Sequence, residues 1–406
     1  MDSIQVLTGL LAYIVAGRLV MRWFSGSPRE FLFAVLNLVG VCCLVFGGSH
    51  EHFLVRFVAY VALIAVLFLA VRLFAGGRGG WPWLAFSAPI AALIVVRYVP
   101  GEVYVGLGHA LGTSWRGPPQ MIGLSYLAFR CSRLVLEIRN GVVQKPNFLE
   151  YLNFAFFLPT MPVGPINTYA NFRRGFAAQR YNIPIGRAAL RILVGAVKYQ
   201  FLANLCNQLT YSGLLLDDHP HHWLDLPVAM LFYYLYLYLN FSGFCDVAIG
   251  AAAIIGLPVP ENFENPFAAR NVKDFWNRWH ITLSSWMRDV VFSPLSKFLV
   301  GKFGLQRADH AIALTITIVF LLVGLWHGAG WNFAAFGATH ALGVVTNHYY
   351  TIFLKKKLGR EKFKAYNENR WIRAGAVGLT FCYCGASLIF FANTFPQITE
   401  IFSVLR

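Results

Sequence analysis

Apolar runs recur from one end of the chain to the other, each near the length of about 20 residues at which a helix crosses a hydrocarbon core. The pattern predicts about ten spans, at 4–22, 31–47, 53–72, 81–99, 119–138, 190–213, 227–257, 309–326, 331–351 and 374–395. Two stretches break the rhythm. Residues 148–168 are apolar but carry Pro159, Pro162 and Pro165, each of which removes a backbone donor and hinders a continuous helix. Irregular backbone at membrane depth survives only where protein or a water-filled cavity satisfies it, so a re-entrant or broken element is expected there, beside a cavity. Residues 264–300 are too polar to span alone and too rich in Trp, Phe and Leu for an ordinary loop. Read as a helix from Val272 to about Val291, they set Trp276, His280, Ser284 and Arg288 on one face, and they allow Asp274 and Arg278 to pair.

Composition agrees with lipid as the main solvent: 57% of the 406 residues are hydrophobic, 16% aromatic and only 13% charged. The net charge of +16 is spread over short loops and not gathered on one face, which excludes a nucleic-acid footprint and follows the positive-inside pattern. The loops with Arg22 and Arg29 and with Arg72 and Arg78 are therefore expected to face the cytoplasm. So are the stretch with Arg173, Arg174, Arg180 and Arg187, the 264–307 segment, and Lys355 to Arg373. The loop 214–226 holds Asp217, Asp218, Asp225 and three histidines without one Lys or Arg, and suits the opposite side. With an even number of spans, both termini would lie outside. The first run lacks a charged leader and a small-residue cleavage site, so it is expected to be a retained span. The seven cysteines have neither zinc nor disulfide spacing and read as small apolar fillers. No P-loop, dinucleotide fingerprint or nucleophile elbow is present.

The sharpest chemical feature is Gly324-Leu325-Trp326-His327-Gly328-Ala329-Gly330-Trp331, a histidine bracketed by glycines and tryptophans between two apolar runs. An ionisable group there needs a reason. It reads equally as a buried neutral base or as a structural histidine bonded to a backbone carbonyl. His280, in Asp274-Phe275-Trp276-Asn277-Arg278-Trp279-His280, reads first as part of an interfacial amphipathic helix. On 227–257, Tyr234, Tyr238, Ser242 and Asp246 share a face with Asn240 nearby. Asp246 could pair with an Arg of 264–300, as a structural contact or a functional one. Arg130 and Glu137 leave the same two readings open. His219, His221 and His222 lack a fitting carboxylate or thiolate set, and no metal is expected.

Four stretches together resemble the membrane-bound O-acyltransferase family. In particular they are similar to its bacterial branch of teichoic-acid D-alanyl transfer proteins and alginate O-acetylases. They are Ile122 through Phe129; Phe157-Leu158-Pro159 through Gly164-Pro165-Ile166; Asn240-Phe241-Ser242-Gly243-Phe244 through Asn262-Phe263-Glu264-Asn265-Pro266-Phe267; and the two histidine motifs. The resemblance runs from about Pro119 to Asn393. It departs at Asn240 and Glu137, where many relatives carry aspartate.

The resemblance implies an all-α polytopic membrane protein of about 10–11 spanning helices, with re-entrant or broken helices around a central funnel. It implies one integral-membrane domain over 1–406, with N-terminal helices to 118 and a catalytic core over 119–395. His327 would be the catalytic base. His280 would position the acyl carrier or stabilise the developing oxyanion. Trp276, Arg278, Trp279, Ser284, Arg288, Trp326, Asn240 and Asp246 would bind substrate or line the funnel. No tightly bound cofactor is implied. The acyl donor, D-alanyl or acetyl, would arrive at the cytoplasmic face on a phosphopantetheinyl carrier protein or coenzyme A. The acceptor would be an exported glycopolymer, a glycolipid or a partner acyltransferase, at a bacterial cytoplasmic membrane. The competing expectations are a transporter or flippase that moves an acyl donor or glycolipid without chemistry, and a degenerate docking partner. The presence of both His280 and His327 argues against the latter.

Overall fold

The computed structural model describes residues 3–46, 53–76, 81–110, 122–178, 184–216 and 219–406. Arg78, Pro119, Arg180, Asp217 and Asp218 lie outside the described residues. The chain forms two compact units, one of residues 1–194 and 244–260, the other of 195–243 and 261–406.

In the first unit the predicted spans are helices: α1 (Ser3–Trp23), α2 (Gly26–Gly40, running on as a π turn to Phe46), α3 (Phe53–Phe74) and α4 (Trp81–Tyr98), then the short α5 (Gly101–Ala110) and α6 (Leu124–Arg139). The proline-bearing stretch is broken as expected. After α7 (Phe148–Ala155) and a 3₁₀ turn at Leu158–Thr160 the backbone is irregular up to α8 (Tyr169–Ala177). Arg130 of α6, fully buried, explains how such a break is tolerated. Its guanidinium donates to the carbonyls of Phe154 and Ala155 and to Thr160 Oγ1 at 3.0–3.2 Å, supplying the donors that a continuing helix would have given. Glu137 accepts from the N–H of Ala170 at 3.0 Å. Both residues thus hold the broken segment, which favours the structural of their two readings. Gly123, at φ +77°, is forced: a Cβ there would sit 2.1 Å from the Met161 carbonyl oxygen.

Helix α9 (Ile185–Ala196) continues through a π turn and α10 (Ala203–Asn207), and is followed by α11 (Asp225–Ile255). Asp246 pairs with Arg191 of α9 at 2.9 Å. The partner expected from 264–300 is corrected: a carboxylate on an apolar helix takes a cation from the helix packed against it. That packing is close, for a Cβ on Gly250 would lie 2.8 Å from the Ala188 carbonyl oxygen.

The second unit holds α12 (Val272–Arg278), α13 (Ile281–Met287), α14 (Ser293–Phe303), α15 (Ala308–His327), α16 (Trp331–Glu368, bent at Gly359), α17 (Arg370–Ala392) and α18 (Phe395–Val404). The single helix expected from Val272 to about Val291 is broken at His280, whose φ of 46° and ψ of 51° are left-handed. The Asp274–Arg278 pair forms within α12 at 2.9 Å. Helices α15 and α16 run antiparallel at a glycine crossing. A Cβ on Gly324 would meet the Phe333 carbonyl oxygen at 2.3 Å, and one on Gly337 the Phe320 carbonyl oxygen at 2.4 Å.

Seven helices among the described residues are long and apolar enough to cross a membrane. Apart from helices and turns those residues show only two isolated β-bridges. The chain is an all-α polytopic membrane protein.

Candidate active site

The break at His280 is built from residues eighteen positions earlier. The side-chain Oδ1 of Asn262 accepts from the Thr282 N–H at 3.2 Å and from the Thr282 hydroxyl at 2.8 Å, while its backbone carbonyl accepts from the Ile281 N–H at 3.0 Å. Asn262 thereby caps the N-terminus of α13, satisfying donors that a helix start leaves open. The same Oδ1 lies 3.2 Å from His280 Nδ1. A backbone N–H can only donate, so the atom it meets is the amide oxygen, and His280 Nδ1 must carry the proton. The neutral ring then presents its lone pair on Nε2.

His280 is 3% exposed. Burial, and then the nearby His327, push its imidazole down to about 3, so it is neutral at physiological pH. In that tautomer Nε2 accepts a hydrogen bond and donates none. This geometry favours orienting a hydroxyl or a second ring over donating to an oxyanion.

His327 ends α15 and is half-buried. Its ring packs against Phe391 at 4.8 Å, Phe336 at 5.9 Å and Trp326 at 4.5 Å between centroids, and Trp326 lies 6.2 Å from His280. Both histidines line one pocket of about 70 Å³, walled by Tyr234, Phe241, Phe275, Trp276 and Trp279. The space leaves room for a group of a few heavy atoms, and its wall is largely aromatic.

Of the other expected residues, Trp276 and Trp279 line this pocket. Arg278, paired to Asp274, stands on a separate polar cleft of about 520 Å³ with Arg270, Lys273 and Arg373. Ser284 and Arg288 line an apolar groove of about 500 Å³. Trp276 lines that groove as well as the pocket. Asn240 is not among the pocket's lining residues, and Asp246 belongs to the ion pair described above. His221 sits 3.5 Å from Asp225, and no group of three or more His, Cys, Asp or Glu among the described residues is placed to hold a metal. Several lining residues carry no signal in the sequence, Phe336 and Phe391 among them, and two polar residues stand apart. Asn262 lay in a quoted motif without a role, and His340 lay unnoticed in a predicted span.

His280, buried, and His327, half-buried, thus share one aromatic pocket of a polytopic helical membrane protein, an arrangement suited to group transfer. The model of the membrane-bound O-acyltransferase family matches residues 33–367, and the chain belongs to that family. It is 31% identical to a teichoic acid D-alanyltransferase of Streptococcus thermophilus, covering 94% of this chain and 93% of the relative. It is 30% identical to the Bacillus subtilis teichoic acid D-alanyltransferase over 68% and 69% of the two chains. A probable alginate O-acetylase of Pseudomonas putida is 27% identical over 88% of this chain and 80% of the relative. This chain is an O-acyltransferase.

Proposed function

We propose that the chain transfers a small acyl group, D-alanyl or acetyl, from a thioester donor reached at the cytoplasmic face to a hydroxyl of an exported cell-envelope glycopolymer, glycolipid or partner protein. The membrane is the bacterial cytoplasmic membrane. The observation that carries this reading is the joint presence of His280 and His327 on one small aromatic pocket.

His327 takes the proton of the acceptor hydroxyl as its oxygen attacks the thioester carbonyl. The new C–O bond forms, the C–S bond breaks, and the imidazolium returns the proton to the departing thiolate, leaving ester and thiol. General-base help of this kind contributes roughly 10²–10⁴-fold. His280, held by Asn262 with Nε2 as acceptor, orients the hydroxyl or the His327 ring. The aromatic wall limits loss of the activated acyl group to water. The donor is the phosphopantetheine arm of a carrier protein or coenzyme A. Its phosphate charge suits the cleft with Arg270, Lys273, Arg278 and Arg373, which would raise the encounter rate. Similarity to D-alanyltransferases over nearly the whole chain supports an alanyl donor, and similarity to O-acetylases supports an acetyl one.

The test supplies membranes separately with labelled acetyl-coenzyme A and D-alanyl-loaded carrier protein, comparing wild type with His327→Ala at matched expression. Label entering a saccharide or membrane product only with wild type is the expected result and names the donor. Equal labelling by the variant would remove His327 from the mechanism.

A further inference from the structure

A third histidine, His340 of α16, 1% exposed, stands in the wall of the same pocket. The Trp276 indole N–H donates to His340 Nδ1 at 3.2 Å. Nδ1 is therefore the acceptor and Nε2 bears the hydrogen, which reaches Ser387 Oγ at 3.0 Å, while the Ser387 hydroxyl donates to the Cys384 carbonyl at 2.7 Å. Phe275, Phe320 and Phe336 surround the ring at centroid distances of 6.2, 6.4 and 4.6 Å. While it accepts the indole, His340 cannot serve as a base. What it fixes is Trp276.

Trp276 lines both the pocket of about 70 Å³ and the apolar groove of about 500 Å³, where it stands with Leu283, Met287, Ile316, Val319 and Val323. We propose that His340 is a positioning and specificity-determining residue: by latching the Trp276 indole it keeps the acyl pocket closed off from the groove and limits transfer to short acyl groups. The inference rests on the acyl-transfer reading above. Released from its latch, the indole turns aside, and a longer alkyl chain enters apolar space that is already present.

The experiment uses the full chain in lipid nanodiscs with the thioester donor found active above, loaded with the short acyl group, butyryl or octanoyl. Trp276→Ala and His340→Leu are expected to raise the ratio of octanoyl to short-acyl kcat/KM by about tenfold or more, the scale on which apolar pockets discriminate chain length. His340→Gln is expected to keep the wild-type ratio, because its amide oxygen can accept the indole and its amide nitrogen can donate to Ser387. If His340→Leu does not fold, Ser387→Ala replaces it, with a smaller shift in the same direction. An unchanged ratio in folded Trp276→Ala overturns the partition. A shift in Trp276→Ala without one in the His340 or Ser387 variant overturns the latch. If wild type transfers no acyl group from any donor, the functional reading falls by itself, and calorimetric binding of octanoyl-pantetheine still judges the inference: tighter binding by the variants supports it, and equal binding overturns it.

Discussion

Asn262 Oδ1 lies 3.2 Å from His280 Nδ1 while accepting two hydrogen bonds from Thr282. One amide oxygen thus sets both a helix start and the tautomer of a pocket histidine. Asn262→Ala leaves the buried Thr282 donors without it, at about 1–3 kcal/mol, and frees the His280 ring to turn. The expected outcome is a lowered melting temperature together with a loss in kcat larger than the change in KM. Thermal unfolding in detergent and steady-state transfer rates measure the two. Normal kcat in a folded Asn262→Ala protein would show that the tautomer is irrelevant.

His280, held down to about 3 by burial and then by His327, stays neutral throughout the working pH range. An acidic limb near neutrality in the rate profile must then come from another group, and it should survive at the same position in the residual activity of His280→Gln. The sign for stability follows. The unfolded chain, with an ordinary histidine near 6.5, binds this proton before the folded one does. The contribution of His280 to stability is therefore complete above about pH 6.5 and declines as pH falls from there toward 3. Unfolding curves at pH 7.5 and 5 should show a wild-type loss that is smaller in His280→Gln.

Asp246 and Arg191 pair at 2.9 Å with partly exposed side chains, and the pair is expected to be structural. Removing one partner with Asp246→Ala should cost about 1–3 kcal/mol, short of the range for a fully buried pair. The double variant Asp246→Leu/Arg191→Met should recover most of that loss. Transfer rates per folded molecule should remain within a few-fold of wild type, and a hundredfold fall in kcat would return Asp246 to the chemistry.

At the α15–α16 crossing, Gly324→Ala would drive a methyl group to 2.3 Å from the Phe333 carbonyl oxygen. Overpacking of this kind costs about 1–3 kcal/mol. Because Gly324 lies one turn before His327, the strain should also appear as reduced kcat. Gly375→Ala on α17, where nothing beyond the helix's own neighbouring backbone lies within 4 Å of the added carbon, is the control expected to change neither.

The apolar runs located the helices well because lipid imposes a single rule on every span, and the prolines of 148–168 marked the break that Arg130 then satisfies. The glycine- and tryptophan-flanked His327 stood out for the same reason. The break at His280 could not be read from periodicity. A 3.6-residue pattern sees only neighbours, whereas this turn depends on Asn262 and on a left-handed histidine. The ion partner of Asp246 lies 55 positions earlier in the chain, a pairing that only packing defines. His340 was within reach. The reasoning that made His327 conspicuous, an ionisable group inside an apolar run, applies equally to Gly337-Ala338-Thr339-His340, but no flanking aromatic motif drew attention to it.

The left-handed backbone at position 280 sets the fold and the chemistry in competition over one side chain. Glycine and asparagine are the residues that such a conformation accepts most readily, yet neither carries an imidazole. A saturation library at this codon, sorted once for folded protein and once for product, would therefore divide. Abundance would gather on glycine and asparagine and full turnover on histidine, and the His280→Asn substitution would give a well-folded protein of low turnover suited to trapping both substrates.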